Sequence, residues 1–252
     1  MTQRVSGKDL SISILSHLRT RMRSTGEDFQ YILARYVLER LMVRISLSAY
    51  SNRFIVKGAM LFLLWDQIPF RSTLDLDLTL DSMTSQSELI RIFTEMMIIS
   101  IKEDAVIFLP SSLSIEPIRE QEAYSGFRLH LRAQLGKTVT PVHIDIGFAE
   151  AITPNPKMEY FPTLLPMPSP HLLCYPRETI VAEKLDAILN YGLDNGRMKD
   201  YFDLWILSSQ FDFDGVLLSS ALRNTFLRRK RDYHPGLPEG LSDEFIPIAS
   251  HR

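Results

Sequence analysis

The sequence predicts an α+β fold, that is, a mixed α/β unit followed by a helical C-terminal part. Helical periodicity fills residues 1–53, alternating strand patterns follow at 74–80, 127–135 and 142–148, and helical periodicity returns from residue 177. Helices that precede and follow a group of strands are typical of α+β proteins, whereas a parallel βαβ sheet alternates the two regularly.

The N-terminal region predicts two helices that carry an excess of arginine. Apolar residues recur at intervals of three and four, as on a buried helix face; they are Leu10, Ile12, Ile14, Leu15 and Leu18, then Phe29, Ile32, Leu33, Tyr36, Val37, Leu41 and Met42. The arginines are Arg19, Arg21, Arg23, Arg35, Arg40, Arg44 and Arg53. Two interpretations are open, an ordinary solvated helix face or a local basic surface for RNA or an acidic partner.

The stretch from Lys57 to Leu80 is where we expect the chemistry. Gly58 opens an apolar helical run, a turn follows at Pro69, and a strand then alternates leucine with polar residues. Its two faces carry Leu74, Leu76, Leu78 and Leu80 on one side and Asp75, Asp77, Thr79 and Asp81 on the other.

The later segments predict more strands and then a second domain. Residues 105–120 contain two short extended pieces separated by Pro110. Half of the 14 prolines lie in 153–176, so neither a long helix nor a central strand is expected there. We place the domain boundary in this segment and predict residues 1–165 as the sheet-containing lobe with the N-terminal helices. The helical C-terminal lobe is predicted to be 166–252, with helices at 177–191, from 197 and at 215–231.

Composition excludes several classes of protein. The chain has 252 residues, a net charge of −2 and one cysteine, Cys174, which suits a reducing cytoplasm and rules out an internal disulfide. No signal peptide or membrane-spanning stretch is seen, so a soluble cytoplasmic protein is expected. The sequence has no serine-nucleophile elbow, Walker loop or dinucleotide fingerprint, and its histidines lack the spacing of a zinc site.

The two aspartates of the acidic strand predict a metal site. Asp75 and Asp77 are two residues apart, so their carboxylates project side by side and repel each other unless a cation lies between them. A hard cation such as Mg²⁺ prefers these oxygen ligands. Asp145 lies on the polar face of another strand and is the predicted third carboxylate. The alternative is a half-exposed edge strand with solvated aspartates.

Other residues suggest phosphate binding. Gly58 begins a predicted helix and would let a phosphate approach backbone N–H groups, with Lys57 and Arg71 adding positive charge; a plain turn is the alternative. Lys184 lies in an apolar helical pattern, and Asp200 and Asp203 lie in a charge cluster at a helix start. These residues have ordinary explanations, a snorkelling lysine and helix-capping acids.

An ordered set of segments resembles the nucleotidyltransferase AbiEii/AbiGii toxin family of the polymerase-β-like nucleotidyltransferase superfamily. The segments span roughly residues 8–231 and are Asp28-Phe-Gln, Arg35-Tyr-Val-Leu-Glu-Arg-Leu, Arg53-Phe-Ile-Val-Lys-Gly-Ala, Arg71-Ser-Thr-Leu-Asp-Leu-Asp, Val142-His-Ile-Asp-Ile-Gly, Tyr175-Pro-Arg-Glu-Thr-Ile-Val-Ala-Glu-Lys-Leu and Arg197-Met-Lys-Asp-Tyr-Phe-Asp-Leu. Each segment alone is a weak signal, and their order makes the resemblance specific.

The resemblance implies a nucleotidyltransferase-type mixed sheet flanked by helices, a helical C-terminal lobe, and an active site between the lobes. It implies as catalytic residues Asp75, Asp77, Lys184 and Asp200, as nucleotide-binding residues Lys57, Gly58, Arg71 and Thr73, and as Mg²⁺ ligands Asp75, Asp77 and Asp145. Two features depart from the family. Ala59 follows Gly58 where relatives often have serine or glycine, and the chain stops early enough to make us consider a shortened C-terminal lobe.

The implied function is that of a toxin in a toxin–antitoxin or abortive-infection (phage defence) system. The toxin would transfer a nucleotide from an NTP to the hydroxyl of an RNA, above all a tRNA 3′ end, with Mg²⁺ as cofactor and an antitoxin protein as partner. Two alternatives remain at this point. In the first, the chain is a weak or inactive member of the family that sequesters nucleotide, RNA or a partner protein. In the second, it is an enzyme that modifies a protein hydroxyl instead of RNA.

Overall fold

The computed structural model describes residues 7–65, 73–119, 125–148, 150–231 and 239–242, and these contain seven strands and seven α-helices. The helices are α1 (Gly7–Thr25), α2 (Phe29–Leu47), α3 (Phe62–Trp65), α4 (Gln86–Met97), α5 (Arg177–Tyr191), α6 (Met198–Gln210) and α7 (Gly215–Arg228). The strands are β1 (Phe54–Lys57), β2 (Asp75–Leu80), β3 (Val106–Arg119), β4 (Ser125–Leu135), β5 (Thr138–Phe148), β6 (Lys157–Tyr160) and β7 (His171–Cys174).

The strands form one mixed sheet in the order β3-β4-β5-β2-β1-β7-β6. The acidic strand β2 is parallel to β5 and antiparallel to β1, and its Leu76, Leu78 and Leu80 are fully buried. The predicted mixed α/β class is confirmed. The edge-strand part of the alternative is wrong, because β2 has a hydrogen-bonded strand on each side, although Asp75 itself is exposed.

Two strand predictions need correction. β3 runs through Pro110 as a single strand with a register shift between Leu109 and Ser114, because an edge strand tolerates proline at such an irregularity. The proline-rich segment contributes β7, which lies inside the sheet between β1 and β6. No central strand was expected there, but its prolines flank the four residues of β7 and leave their N–H groups intact.

The described chain divides into two compact units. Unit 1 comprises Met1–Ala149 with Met158–Cys174, and unit 2 comprises Glu150–Lys157 with Tyr175–Arg252. This division differs from the boundary predicted after residue 165, because β7 returns the chain to the sheet before α5 begins.

Unit 2 is helical, as predicted for the C-terminal lobe. Its first helix, α5, coincides with the predicted helix 177–191 and ends at Gly192, whose φ of +48° favours glycine. α7 ends at Arg228, three residues before the predicted end. Nowhere in the described ranges is a helix both long and apolar enough to cross a membrane.

The helix α2 is a buried element of unit 1, and its arginines do not form a surface. Asp28 caps it by accepting hydrogen bonds from the N–H groups of Gln30 and Tyr31. Arg35, Arg40 and Arg44 are at most 3% exposed, so both interpretations, a solvated face and an RNA-binding surface, are wrong for these three. Their partners are buried acids, since Arg44 pairs with Asp104, while Arg35 and Arg40 share the single carboxylate of Glu39.

Glu39 is an imperfectly satisfied member of this cluster. Its Oε2 accepts the Leu164 N–H at 3.0 Å, whereas Oε1 lies 3.4 Å from Arg35 Nε and has no hydrogen-bond partner within the described chain. Burial raises the pKa of the Glu39 carboxyl to about 7, although the Leu164 N–H and the charges of Arg35 and Arg40 act in the opposite direction. The cluster is therefore part of the core of unit 1.

Candidate active site

A row of charged residues crosses the polar face of the sheet at β2. Asp77 lies directly opposite Lys57 of β1 on one side and Asp145 of β5 on the other. Asp75 lies two residues earlier, opposite His143, whose Nδ1 is 3.7 Å from the Asp75 carboxylate. Directly opposite residues share a face of the sheet, so the pairing brings the three predicted carboxylates together.

Gly58 packs directly against the Asp77 carboxylate. Its φ is +70°, a conformation that side chains rarely adopt, and a Cβ there would lie 2.7 Å from Asp77 Cγ and 2.9 Å from Asp77 Cβ, closer still to Oδ2. Two independent constraints therefore require glycine. A plain turn, the alternative, would explain the positive φ of Gly58. It does not explain why the Asp77 carboxylate occupies the position that a side chain at residue 58 would take.

The helix predicted after Gly58 is short. A 3₁₀ turn at Gly58–Leu61 leads into α3, which has only four residues. A helix of this length has little macrodipole, so the helix-end contribution expected from the sequence is small. Ala59, which departs from the family pattern, is 6% exposed and is part of the hydrophobic core.

The remaining predicted nucleotide-binding residues are less informative. Thr73 precedes β2, is half-buried, and its Oγ1 donates to the backbone carbonyl of Asp75 at 3.4 Å. Lys57 is half-buried at the end of β1. Arg71 lies outside the described residues.

Both carboxylate oxygens of Asp145 are bound by an arginine that was not predicted to be part of the site. Arg128 of β4 lies directly opposite Asp145, and its Nε and Nη2 donate to Oδ1 and Oδ2, each at 2.7 Å. The alternation of residues 127–135 placed Arg128 on the outward face, but only the pairing register shows which acid it meets. Such a bidentate pair is stronger and more directional than a single contact.

The carboxylates therefore fit a divalent cation unequally. Asp75 and Asp77 present hard oxygen donors on one face beside the Gly58 turn, which is the donor chemistry Mg²⁺ prefers. Asp145, as found, accepts one hydrogen bond from Arg128 on each of its oxygens, so a cation there would share the carboxylate with a guanidinium. Accordingly, no group of three or more His, Cys, Asp or Glu side chains in the described ranges is placed to hold a metal ion.

The two predicted residues of unit 2 form a buried ion pair. Lys184 Nζ on α5 lies 2.8 Å from Asp200 Oδ1 and 2.7 Å from Asp203 Oδ2, and the two aspartates share one face of α6 because they are three residues apart. The Lys184 side chain is 12% exposed, so the snorkelling interpretation is wrong. Asp203 was assigned only a capping role from the sequence, whereas here it is the second carboxylate that holds Lys184.

Asp200 is held in its ionised form. Burial acts to raise the pKa of its carboxyl, but the charge and hydrogen bond of Lys184, together with Arg197, hold that pKa below its ordinary value. Arg197 Nε contributes a contact of 2.6 Å to Asp200 Oδ2. The lysine between two aspartates is thus fixed in position.

A mixed sheet with a glycine turn packed against an acidic central strand, followed by a helical unit, is the arrangement that the resemblance to nucleotidyltransferases implies. The family described as nucleotidyl transferase AbiEii toxin, type IV toxin–antitoxin system, matches residues 40–249. The chain therefore belongs to this family of nucleotidyltransferase toxins, and the family resemblance inferred from the sequence is confirmed. Membership implies a nucleotide substrate and an antitoxin partner, and enzymes of this class generally use an NTP and a divalent metal.

One solved structure supports the fold. A candidate nucleotidyltransferase from H. pylori is similar at 14% identity with a TM-score of 0.51, covering 89% of this chain and 90% of that one. JHP933 from Helicobacter pylori (16% identity, TM-score 0.47, covering 86% and 85%) and an antigenic nucleotidyltransferase-like protein from Paracoccidioides brasiliensis (16%, 0.41, covering 77% and 88%) are more distant. A comparison with curated protein sequences gives no match.

The Gly58→Ala variant is expected to lower nucleotidyl transfer about 10²-fold, since a displacement of about 1 Å at a catalytic carboxylate has effects of this size. The new Cβ must push Asp77 aside. Gly26→Ala is the matched control, because Gly26 has a similar φ of +75° with nothing within 4 Å of an added Cβ. Both variants carry the backbone strain, so equal transfer rates for the two would contradict a specific role for the Gly58–Asp77 contact.

Proposed function

We propose that this protein is a Mg²⁺-dependent toxin that transfers a nucleotide from an NTP to an RNA 3′ hydroxyl, above all that of tRNA. It would act in the cytoplasm, within a toxin–antitoxin or abortive-infection (phage defence) system, and a cognate antitoxin would neutralise it. The observation that carries the enzymatic part is the contact of Gly58 with Asp77 beside Asp75 on a central strand. The resemblance supports the choice of RNA as acceptor.

Each residue of the acidic strand has a separate task in this proposal. Asp75 and Asp77 would hold the cation, which when bound supplies positive charge to the triphosphate. Gly58 keeps the backbone free of a side chain at Asp77, so that phosphate oxygens approach the N–H groups of the turn. Lys57 lies opposite Asp77 and Thr73 precedes the strand, and both would contact the nucleotide; we propose the same for Arg71.

The reaction needs positioning more than covalent help. The acceptor oxygen forms a bond to the α-phosphorus, the bond from that phosphorus to the bridging oxygen breaks, and pyrophosphate leaves with the electron pair while the hydroxyl proton passes to solvent. In-line attack of this kind is accelerated mainly by orientation and by charge stabilisation. Lys184 and Asp200 would contribute to the same reaction, Lys184 as a positive charge that Asp200 and Asp203 keep in one orientation.

A labelling assay tests the proposal. Purified protein is incubated with each of the four α-labelled NTPs, Mg²⁺ and bulk tRNA, and the RNA is resolved from protein and free nucleotide. We expect label in tRNA with at least one NTP, and none after EDTA is added. Label in protein instead of tRNA would show that the acceptor is a protein hydroxyl and not RNA. NTP binding by calorimetry without any product would instead support sequestration, and the absence of both binding and product would overturn the proposal.

A further inference from the structure

The pairing of Arg128 with Asp145 changes how many cations the acidic site is expected to hold. Across the sheet, the register runs Glu116 of β3, Arg128 of β4, Asp145 of β5 and Asp77 of β2, each opposite the next. The row continues to Lys57 of β1, opposite Asp77, so its three acids are accompanied by two cations, Arg128 and Lys57. Arg128 binds both oxygens of Asp145, whereas no other described carboxylate lies within hydrogen-bond distance of its nitrogens.

This arginine is positively charged, as arginine side chains in proteins are. The hydrogen bonds and charge of Asp145, followed by the charges of Asp75 and Glu116, raise the pKa of Arg128 above its ordinary value. A guanidinium that binds both oxygens of a carboxylate, each at 2.7 Å, neutralises its charge and uses one lone pair of each oxygen, so the carboxylate attracts a metal ion less strongly. Mg²⁺ also requires nearly ideal octahedral geometry and gives up its water ligands reluctantly, so it competes poorly for such an acid.

We propose that the site binds one divalent cation, between Asp75 and Asp77, and that Arg128 takes the place of a second cation on Asp145. Asp145 is then a positioning residue for Arg128 instead of a metal ligand. Arg128 supplies a fixed positive charge next to the acidic strand, with its side chain 46% exposed and so within reach of a substrate phosphate. This inference rests on the proposed function, because it assumes that Asp75 and Asp77 hold the cation of a nucleotidyl-transfer site.

The stoichiometry of Mn²⁺ binding tests the inference without any activity measurement. Electron paramagnetic resonance counts bound Mn²⁺ in titrations of the full chain, and circular dichroism checks that each variant is folded. We expect one Mn²⁺ in wild type and a second one in Arg128→Gln, where Asp145 is released. We expect one again in the double variant Arg128→Gln/Asp145→Asn, and binding weakened on the order of 100-fold in Asp77→Asn, which removes a full charge from the site.

A control on the same strand separates the pair from general charge effects. Arg132 is an exposed residue of β4 four positions after Arg128, and it lies opposite Leu109 and Pro141 instead of an aspartate, so Arg132→Gln should bind one Mn²⁺ with the affinity of wild type. Two ions in wild type, or one ion of unchanged affinity in Arg128→Gln, would overturn the inference and leave the proposed function standing. Wild type that binds no Mn²⁺, or binds it independently of Asp77, would overturn both.

Discussion

Replacing Asp77 with asparagine is expected to lower the rate of nucleotidyl transfer by at least about 10³-fold, which corresponds to a loss of about 4 kcal/mol of transition-state stabilisation. Asp77 is the acid that contacts Gly58 and lies opposite both Lys57 and Asp145. Asparagine keeps the size of the side chain and therefore the packing against Gly58, but it removes the charge that would hold the cation. The measurement is the initial rate of label transfer from NTP to RNA at saturating Mg²⁺.

Asp81 offers the matched control for this substitution. It follows β2 directly, carries the same side chain, and is exposed, with Ser82 and Arg53 as its neighbours instead of the glycine turn. Asp81→Asn should transfer at the wild-type rate, and both variants should show the thermal unfolding profile of wild type. A rate for Asp77→Asn that equals the rate for Asp81→Asn would show that the acidic strand does not carry the reaction.

The sequence was sufficient to predict the fold class and the position of the acidic strand. Alternation of leucine with aspartate over residues 74–80 requires a strand with one buried face, and Leu76, Leu78 and Leu80 are indeed buried. It was not sufficient to predict the place of β2 inside the sheet. That place depends on β5, which pairs with β2 from far along the sequence and is selected by tertiary packing, while β1 lies on the other side.

Side-chain pairing was the least predictable part of the candidate site. Arg128 and Asp145 are 17 residues apart on neighbouring strands, and a shift of register by one residue would have turned one of them to the opposite face. Asp203 resembled a helix-capping acid because it lies close to the predicted helix start. Its contact with Lys184 requires α5 to pack against α6. The predictions for the arginines of α2 were wrong for a similar reason, because the sequence does not show that Asp104 and Glu39 are their buried partners.

Replacing Arg44 with methionine is expected to destabilise the protein by about 3–5 kcal/mol, because it leaves a buried carboxylate without its cation. Asp104 is 0% exposed, and Arg44 Nη1 lies 2.6 Å from its Oδ2. The same guanidinium donates to the carbonyl of Val106 at 2.9 Å and lies over the Phe108 ring, so no water or other described cation replaces it readily. Thermal unfolding should shift downwards by roughly 10 °C.

The physical cause can be separated from a general loss of arginine by two further variants. Arg91 also contacts two carboxylates, those of Glu88 and Glu95, but on an exposed helix face, so Arg91→Met should leave the unfolding midpoint close to that of wild type.

The double variant Arg44→Met/Asp104→Asn removes the unpaired charge as well. In the wild type the Val106 N–H donates a hydrogen bond to Asp104 Oδ1 at 3.0 Å, and the asparagine retains an oxygen that accepts it. The double variant should recover a large part of the lost stability, since the cost of Arg44→Met lies mainly in the stranded carboxylate. If the double variant is less stable than Arg44→Met, the arginine contributes through packing against Phe108 and its contacts to backbone carbonyls instead of through its charge.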